Sequence, residues 1–97
     1  MRRPTKPRYP PLYRMHQALG ALRVHVPTDA PITSHWRQSL QGTPNLRVIG
    51  TTHGDAWTVD VYSGNFYRVQ IQNAASEVCR SIPEAVGYLR LRLNLNS

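Results

Sequence analysis

The side chains that could act as nucleophiles or metal ligands are few and scattered along this sequence. Cys79 is the single cysteine, so an internal disulfide is excluded, and a reactive thiolate would need a nearby base or helix N-terminus. Cys79 precedes a candidate helix cap at Ser81, so a cysteine-dependent enzyme stays open. The alternative is that Cys79 is a small buried residue of a strand. The histidines lack the H-x-H or H-x-x-x-H spacing of metal ligands, so we expect no metal and no cofactor. They are His16, His25, His35 and His53.

The carboxylates have local explanations that do not involve catalysis. Asp55 follows a predicted turn, where aspartate is favoured for hydrogen bonding to the backbone. Asp60 is expected between two arginines of a sheet, and Glu84 fits a helix cap. No second carboxylate accompanies any of them for acid–base work, and there is no glycine-rich phosphate loop. We therefore expect a binding protein and no enzyme.

The basic residues are the remaining chemical signal. The net charge is +7, from 12 basic and 5 acidic residues. Residues 1–14 hold five of the basic residues and none of the acids, so they carry +5 and the rest of the chain only +2. Four of the eight prolines lie in residues 1–11, which predicts a disordered or extended arm over 1–11 ahead of a single domain over 12–97.

Arginine in a flexible arm binds phosphate without needing a fold, and tyrosine can stack on bases. On the predicted sheet, two further arginines lie near Phe66 and Gln70 and form a second candidate platform. A solubilising tail and an ordinary solvated sheet face are the alternatives. The candidate binding residues are Arg2, Arg3, Lys6, Arg8, Tyr9, Tyr13, Arg14, Arg47 and Arg68.

Residues 46–72 contain three runs in which apolar residues alternate with polar ones, which is typical of strands. A two-residue hairpin loop at His53-Gly54 sets Val48 opposite Val59 and Trp57 over Gly50. A three-residue loop at 63–65 sets Val59 opposite Val69 as well. Both registers place the large apolar residues on one face and align Arg47, Asp60 and Arg68 on the other.

Weaker patterns surround this sheet. Apolar spacing predicts a helix from Leu12 that ends near Gly20, a brief strand over 22–26, and a helix starting at Thr33 or Ser34. A short fourth strand is predicted over 77–80. Ser81 and Glu84 form a capping box for a last helix that we expect to run to about residue 93. The strict alternation of residues 89–96 also fits a strand.

The order helix, three antiparallel strands, helix over 33–93 resembles that of double-stranded-RNA-binding domains. That family uses lysines at the start of its last helix to bind phosphate, whereas this sequence has Ile82, Pro83, Glu84 and Ala85 there. The resemblance is confined to the order of elements, and such an order does not by itself carry function.

The sequence therefore predicts an α+β protein with a three- to four-stranded antiparallel sheet, one face covered by helices, and a basic arm. We expect a nucleic-acid-binding accessory module. The alternative is a small adaptor or inhibitor, of the kind that phages and mobile elements encode, bound to an acidic protein surface. Dimerisation through a sheet edge or residues 89–96 stays open. No apolar run of membrane-spanning length and no secretory signal occur, so we expect a cytoplasmic protein without membrane contact.

Overall fold

The computed structural model describes residues 9–38 and 44–95 and has an α+β architecture. Its sheet is antiparallel and has five strands in the order in which they occur along the chain, so it exceeds the predicted three to four. The elements are α1 (Leu12–His25), β1 (Thr33–Gln38), β2 (Pro44–Thr52), β3 (Asp55–Val61), β4 (Tyr67–Ile71), β5 (Glu77–Cys79) and α2 (Ile82–Arg92).

The first helix continues through the segment predicted to be a strand. Gly20 does not end α1, which runs to His25. Leu22 and Val26 are buried one turn apart, while Val24 between them is 75% exposed. A strand would have placed all three on one face, so the burial follows the helical period instead. The prediction of a strand over 22–26 was therefore wrong.

The segment predicted as the second helix is the edge strand β1. Residues Thr33–Gln38 pair with β2 along their whole length, and all six are exposed. Because no residue of β1 is buried, its sequence shows no alternation of apolar and polar residues that would indicate a strand. Pairing with the long β2 overrides the local preference for a helix. The order that resembled double-stranded-RNA-binding domains is lost, because residues 33–93 begin with a strand. Leu40, the other apolar residue of that predicted helix, lies outside the described residues.

The three central strands have the predicted registers. Val48 pairs with Val59, Val59 pairs with Val69, and Gly50 pairs with Trp57. The β2–β3 turn has positive φ at both central residues, 51° at His53 and 83° at Gly54. This backbone suits a two-residue hairpin and explains the glycine at its second position.

The core lies on one face of the sheet. Alternate residues of β2, β3 and β4, with Cys79 of β5, form one buried cluster with residues of both helices. The fully buried members include Leu22, Val48, Trp57, Val59, Val69 and Leu89. The indole Nε1 of Trp57 donates to Thr52 Oγ1 at 3.0 Å, and that hydroxyl donates to the Pro27 carbonyl at 2.6 Å. The buried polar atoms of this pair are thereby satisfied.

The predicted fourth strand and last helix are present. Ser81 Oγ accepts from the Glu84 amide at 3.2 Å, and the Glu84 carboxylate accepts from the Arg80 amide, one residue before the expected partner. The helix α2 ends at Arg92 and is followed by a turn in which Asn94 has a φ of 57°. The helical alternative for residues 89–96 is therefore confirmed as far as Arg92, and residues 93–95 form no strand. Neither helix in the described part of the chain is long and apolar enough to cross a bilayer.

Asp29 holds the β2–β3 turn from outside the sheet. Its Oδ2 accepts from the Gly54 amide at 2.9 Å and its Oδ1 from the His53 amide at 3.0 Å. These two backbone hydrogen bonds, the Gly54 bond first, lower the pKa of Asp29 below its ordinary value of 3.8. Ionised Asp29 therefore stabilises the folded state more than protonated Asp29 does.

Gly50 is a position where a side chain cannot be accommodated. A Cβ there would overlap the indole carbons of Trp57, whereas a Cβ at Gly87 in α2 would meet no atom within 4 Å. We expect Gly50→Ala to lower the free energy of unfolding by about 1–3 kcal/mol, because the indole or the strand must move. Gly87→Ala should raise it by roughly 0.5–1 kcal/mol, through helix propensity. Urea unfolding measures both, and equal effects at the two sites would contradict this packing.

Stability should depend on the ionisation of Asp29 at acid pH. Because its folded pKa lies below 3.8, its contribution is present above that pH and is lost as the pH falls through the lowered value. Asp29→Asn should therefore flatten the loss of stability between pH 5 and pH 2 (about the range over which such a group titrates). Chemical unfolding across a pH series tests this. An Asp29→Asn slope equal to that of the wild type would contradict this role of the carboxylate.

Candidate nucleic-acid interface

The sequence candidates for reactive chemistry are not assembled into a site. Cys79 is 1% exposed, and burial, followed by the charges of Glu84 and Glu77, raises the pKa of its thiol. The thiol form of Cys79 is therefore favoured, and its surroundings do not activate it as a nucleophile. Within residues 9–38 and 44–95, no group of three or more histidine, cysteine, aspartate or glutamate side chains could hold a metal ion.

The face of the sheet opposite the core is polar and rich in arginine. Cross-strand pairing sets His35 opposite Arg47, Arg47 opposite Asp60, and Asp60 opposite Arg68, so these four side chains form one row across β1–β4. Arg37 lies on the same face, two residues along β1 from His35. Both described helices pack on the core side, so neither of them covers this outer face.

Arg47 is engaged within the row. Its Nε and Nη2 donate to the two carboxylate oxygens of Asp60 at 2.8 and 2.9 Å, a bidentate arrangement. The hydrogen bond to Asp60 raises the pKa of Arg47. The Asp60 side chain is only 3% exposed, so the pair is tied to the sheet and its charges largely cancel. Arg47 is therefore a weaker candidate for phosphate contact than an exposed arginine.

Arg68 contacts an aromatic pair instead of Asp60. Its guanidinium lies 5.8 Å from the centre of the Tyr62 ring, and Tyr62 stacks on Phe66 with centroids 4.6 Å apart and planes at 14°. The expected arrangement of one acid shared by two arginines is therefore replaced by one ion pair and one cation–π contact. Arg37 and Arg68 are exposed and form no ion pair with any described residue. Two arginines without an anionic partner among the described residues, together with the stacked aromatic pair that Arg68 contacts, can attract phosphate and stack a base.

Arg14 is not part of the exposed arm. It lies in the first turn of α1, is 6% exposed, and its guanidinium stands 5.0 Å from the centre of the Tyr67 ring. Its Nη1 donates to the carbonyls of Tyr62 at 2.8 Å and Ser63 at 3.3 Å, and its Nε to the Tyr67 hydroxyl at 3.4 Å. These contacts join α1 to the β3–β4 loop, which gives Arg14 a structural role.

The remaining predicted site residues are separated. Tyr13 is 70% exposed on α1, and the Tyr9 ring packs edge-on against Trp36 of β1, with centroids 5.0 Å apart. The other four, Arg2, Arg3, Lys6 and Arg8, lie outside the described residues.

The sequence argument missed His35 and Arg37 because β1 was predicted to be a helix. Only its pairing with β2 reveals that they share a face with Arg47.

Another cleft lies on a different side of the molecule. It has a volume of about 620 Å³ between the β4–β5 loop and the end of α2. Two acids, Asp55 and Glu77, and one base, Arg92, line it. Asp55 already accepts from Gln72 Nε2 at 2.6 Å, and Arg92 lies over the Tyr88 ring. These contacts account for Asp55 and Arg92 without a ligand.

Comparisons with known proteins give no independent guide to function. No family model matches the chain, and neither a curated protein nor a solved structure matches it.

Removing the buried arginine should cost stability. We expect Arg14→Ala to lower the free energy of unfolding by roughly 2 kcal/mol, because the charged hydrogen bonds and the ring contact are lost together. Arg14→Lys should restore little of this, since an ammonium cannot reproduce the planar, forked donors. Arg23→Ala, on the exposed side of the same helix, is the control and should change stability by less than about 0.5 kcal/mol. Similar losses for Arg14→Ala and Arg23→Ala in urea unfolding would argue against the structural role.

Proposed function

We propose that this protein binds nucleic acid without sequence specificity, through the outer face of its sheet together with its basic N-terminal arm. The observation that carries the proposal is the pairing of exposed arginine with stacked aromatic rings on a face that neither described helix covers. Arg37 and Arg68 provide charge for phosphates, and Phe66 with Tyr62 provides a surface on which a base can stack.

The charge distribution supports the same function. Residues 1–8 contribute four further basic side chains and no acid. The chain enters the described fold beside the edge strand β1, where Tyr9 contacts Trp36. Trp36 pairs with Leu46 and therefore faces the core side of β1, opposite to His35 and Arg37, so the arm would pass around the open edge of β1 to reach a nucleic acid on the outer face. Long-range attraction by the arm would then raise the rate of encounter.

A protein partner is the second candidate, favoured by the edge strand itself. All six residues of β1 are exposed, and its outer backbone groups have no neighbouring strand in the described part of the chain. Trp36 is 48% exposed at its centre. An open edge of this kind can accept a strand from another protein, with backbone hydrogen bonds giving affinity. A complex formed in this way would survive moderate salt, unlike one held by phosphate contacts.

Salt dependence tests the main proposal. Fluorescence anisotropy with random single-stranded and duplex oligonucleotides gives the slope of log K against log salt. Arg37→Ala/Arg68→Ala should make this slope shallower by about 1.8 for a duplex and about 1.4 for a single strand, the values for two lost phosphate contacts. The matched control, Arg23→Ala/Arg92→Ala, removes the same charge from exposed helical positions and should leave the slope unchanged.

Three further results decide the interpretation. Deletion of residues 1–8 should weaken binding further, and the truncation must stop there because Arg14 holds α1 to the sheet. Equal losses in the two double variants would show that net charge acts without an interface. Absence of binding by the full chain at low salt would reject the proposal in favour of a protein partner on β1.

A further inference from the structure

A second cleft lies on the helical side of the sheet, away from the outer face. It has a volume of about 410 Å³ and lies between the first turn of α1, the β3–β4 loop and the first turn of α2. A cleft of this size accommodates a small ligand. The polar residues that line it are Tyr13, Arg14, Gln17, Asn65, Tyr67, Arg80 and Ser81.

Arg14, which lines this cleft, carries a positive charge that has no paired carboxylate among the described residues. Nε and Nη1 have oxygen acceptors, but Nη2 is buried and has no hydrogen-bond partner. No carboxylate lies within ion-pair distance of this guanidinium in residues 9–38 and 44–95. A buried cation normally has a paired anion, and a buried donor normally has an acceptor. The Arg14 guanidinium has no paired anion, and its Nη2 has no acceptor. The side chain is 94% buried, since only 6% is exposed, and Nη2 is closed to solvent, so an anion in the cleft reaches Nη2 only when the side chains that cover it move.

Other donors converge on the same cleft from a different element. Arg80 is exposed and precedes α2, whose N-terminal end carries partial positive charge. The Ser81 cap engages the Glu84 amide, and Pro83 has no amide hydrogen, so the cap leaves the Ile82 amide as a donor. Glu84 lies in the first turn of α2, and its carboxylate already accepts from the Arg80 amide at 2.9 Å.

We propose that this cleft binds a phosphate group. Its donors stand on separate walls, with Arg14 on α1 and Arg80 and the Ile82 amide at the start of α2. That arrangement suits an anion that accepts hydrogen bonds in several directions better than a planar carboxylate. Tyr13, 70% exposed at the rim, offers a ring to a sugar or base attached to the phosphate. The ligand class is therefore a phosphate monoester, either a free nucleotide or the phosphorylated end of a nucleic-acid strand.

This site is independent of the interface proposed above, because neither Arg37 nor Arg68 lines it. Variants of those two arginines should leave phosphate binding unchanged. Arg14 is unsuitable as the test variant, since its loss destabilises the fold. Arg80 is exposed and outside the core, so Arg80→Ala removes a donor while preserving the structure.

The experiment is a titration of isotopically labelled protein with inorganic phosphate, against sodium chloride of equal ionic strength. We expect phosphate to shift the amide signals of Gln17, Asn65 and Ile82 and the Nε–H signal of Arg14. It should also raise the melting temperature by mass action. Arg80→Ala should weaken phosphate binding about tenfold, the loss of one charge-assisted contact. The control, Arg92→Ala, should bind like wild type.

Three outcomes would overturn the site: equal stabilisation by chloride, shifts confined to the outer face, or unchanged binding by Arg80→Ala. Two comparisons identify the source of the phosphate. Adenosine monophosphate that binds more tightly than phosphate supports a free nucleotide. A 5′-phosphorylated oligonucleotide that binds more tightly than its 5′-hydroxyl form, with the difference lost in Arg80→Ala, supports a strand end.

Discussion

The whole arrangement depends on the burial of the central sheet from one side only. Alternation along β2, β3 and β4 sends the large apolar residues, with the exception of Ile49, to the same face, and Trp57 fills the space that Gly50 leaves by having no side chain. Both helices must cover that face to remove it from water. The polar side chains of these strands consequently point to the opposite face, where arginines and tyrosine can contact a ligand.

The arginines illustrate how position divides one residue type into different roles. Arg47 is held by Asp60, Arg14 is buried against Tyr67, and Arg90 donates to the carbonyls of His25 and Leu95, which joins the ends of the two helices. These three contribute to the fold through charged hydrogen bonds. Arg37, Arg68 and Arg80 are exposed instead, and they define the two proposed binding surfaces. A count of basic residues alone would have treated all of them as equivalent.

The two proposed surfaces have different physical character. The outer face is open, so its contacts with phosphate would be screened by salt and tolerant of sequence. The cleft beside Arg14 is partly enclosed, and a charge there is screened less by the solvent. A protein with both could hold the backbone of a strand on one surface and recognise a phosphate group on the other, since different elements build the two.

The sequence by itself determined the central hairpins, the Arg47–Asp60 pair and the cap of α2, because period-two alternation, turn residues and capping residues act over short distances. Only the tertiary structure decided that the helix continues through residues 22–25, since burial of Leu22 and Val26 against the sheet selects the helical period. The same holds for β1, whose exposed residues carry no pattern and whose backbone hydrogen bonds come entirely from β2. The burial of Arg14 required the β3–β4 loop to supply its acceptors, about fifty residues away in the chain. Contacts at that separation are set by packing of the whole domain, and local residue spacing does not encode them.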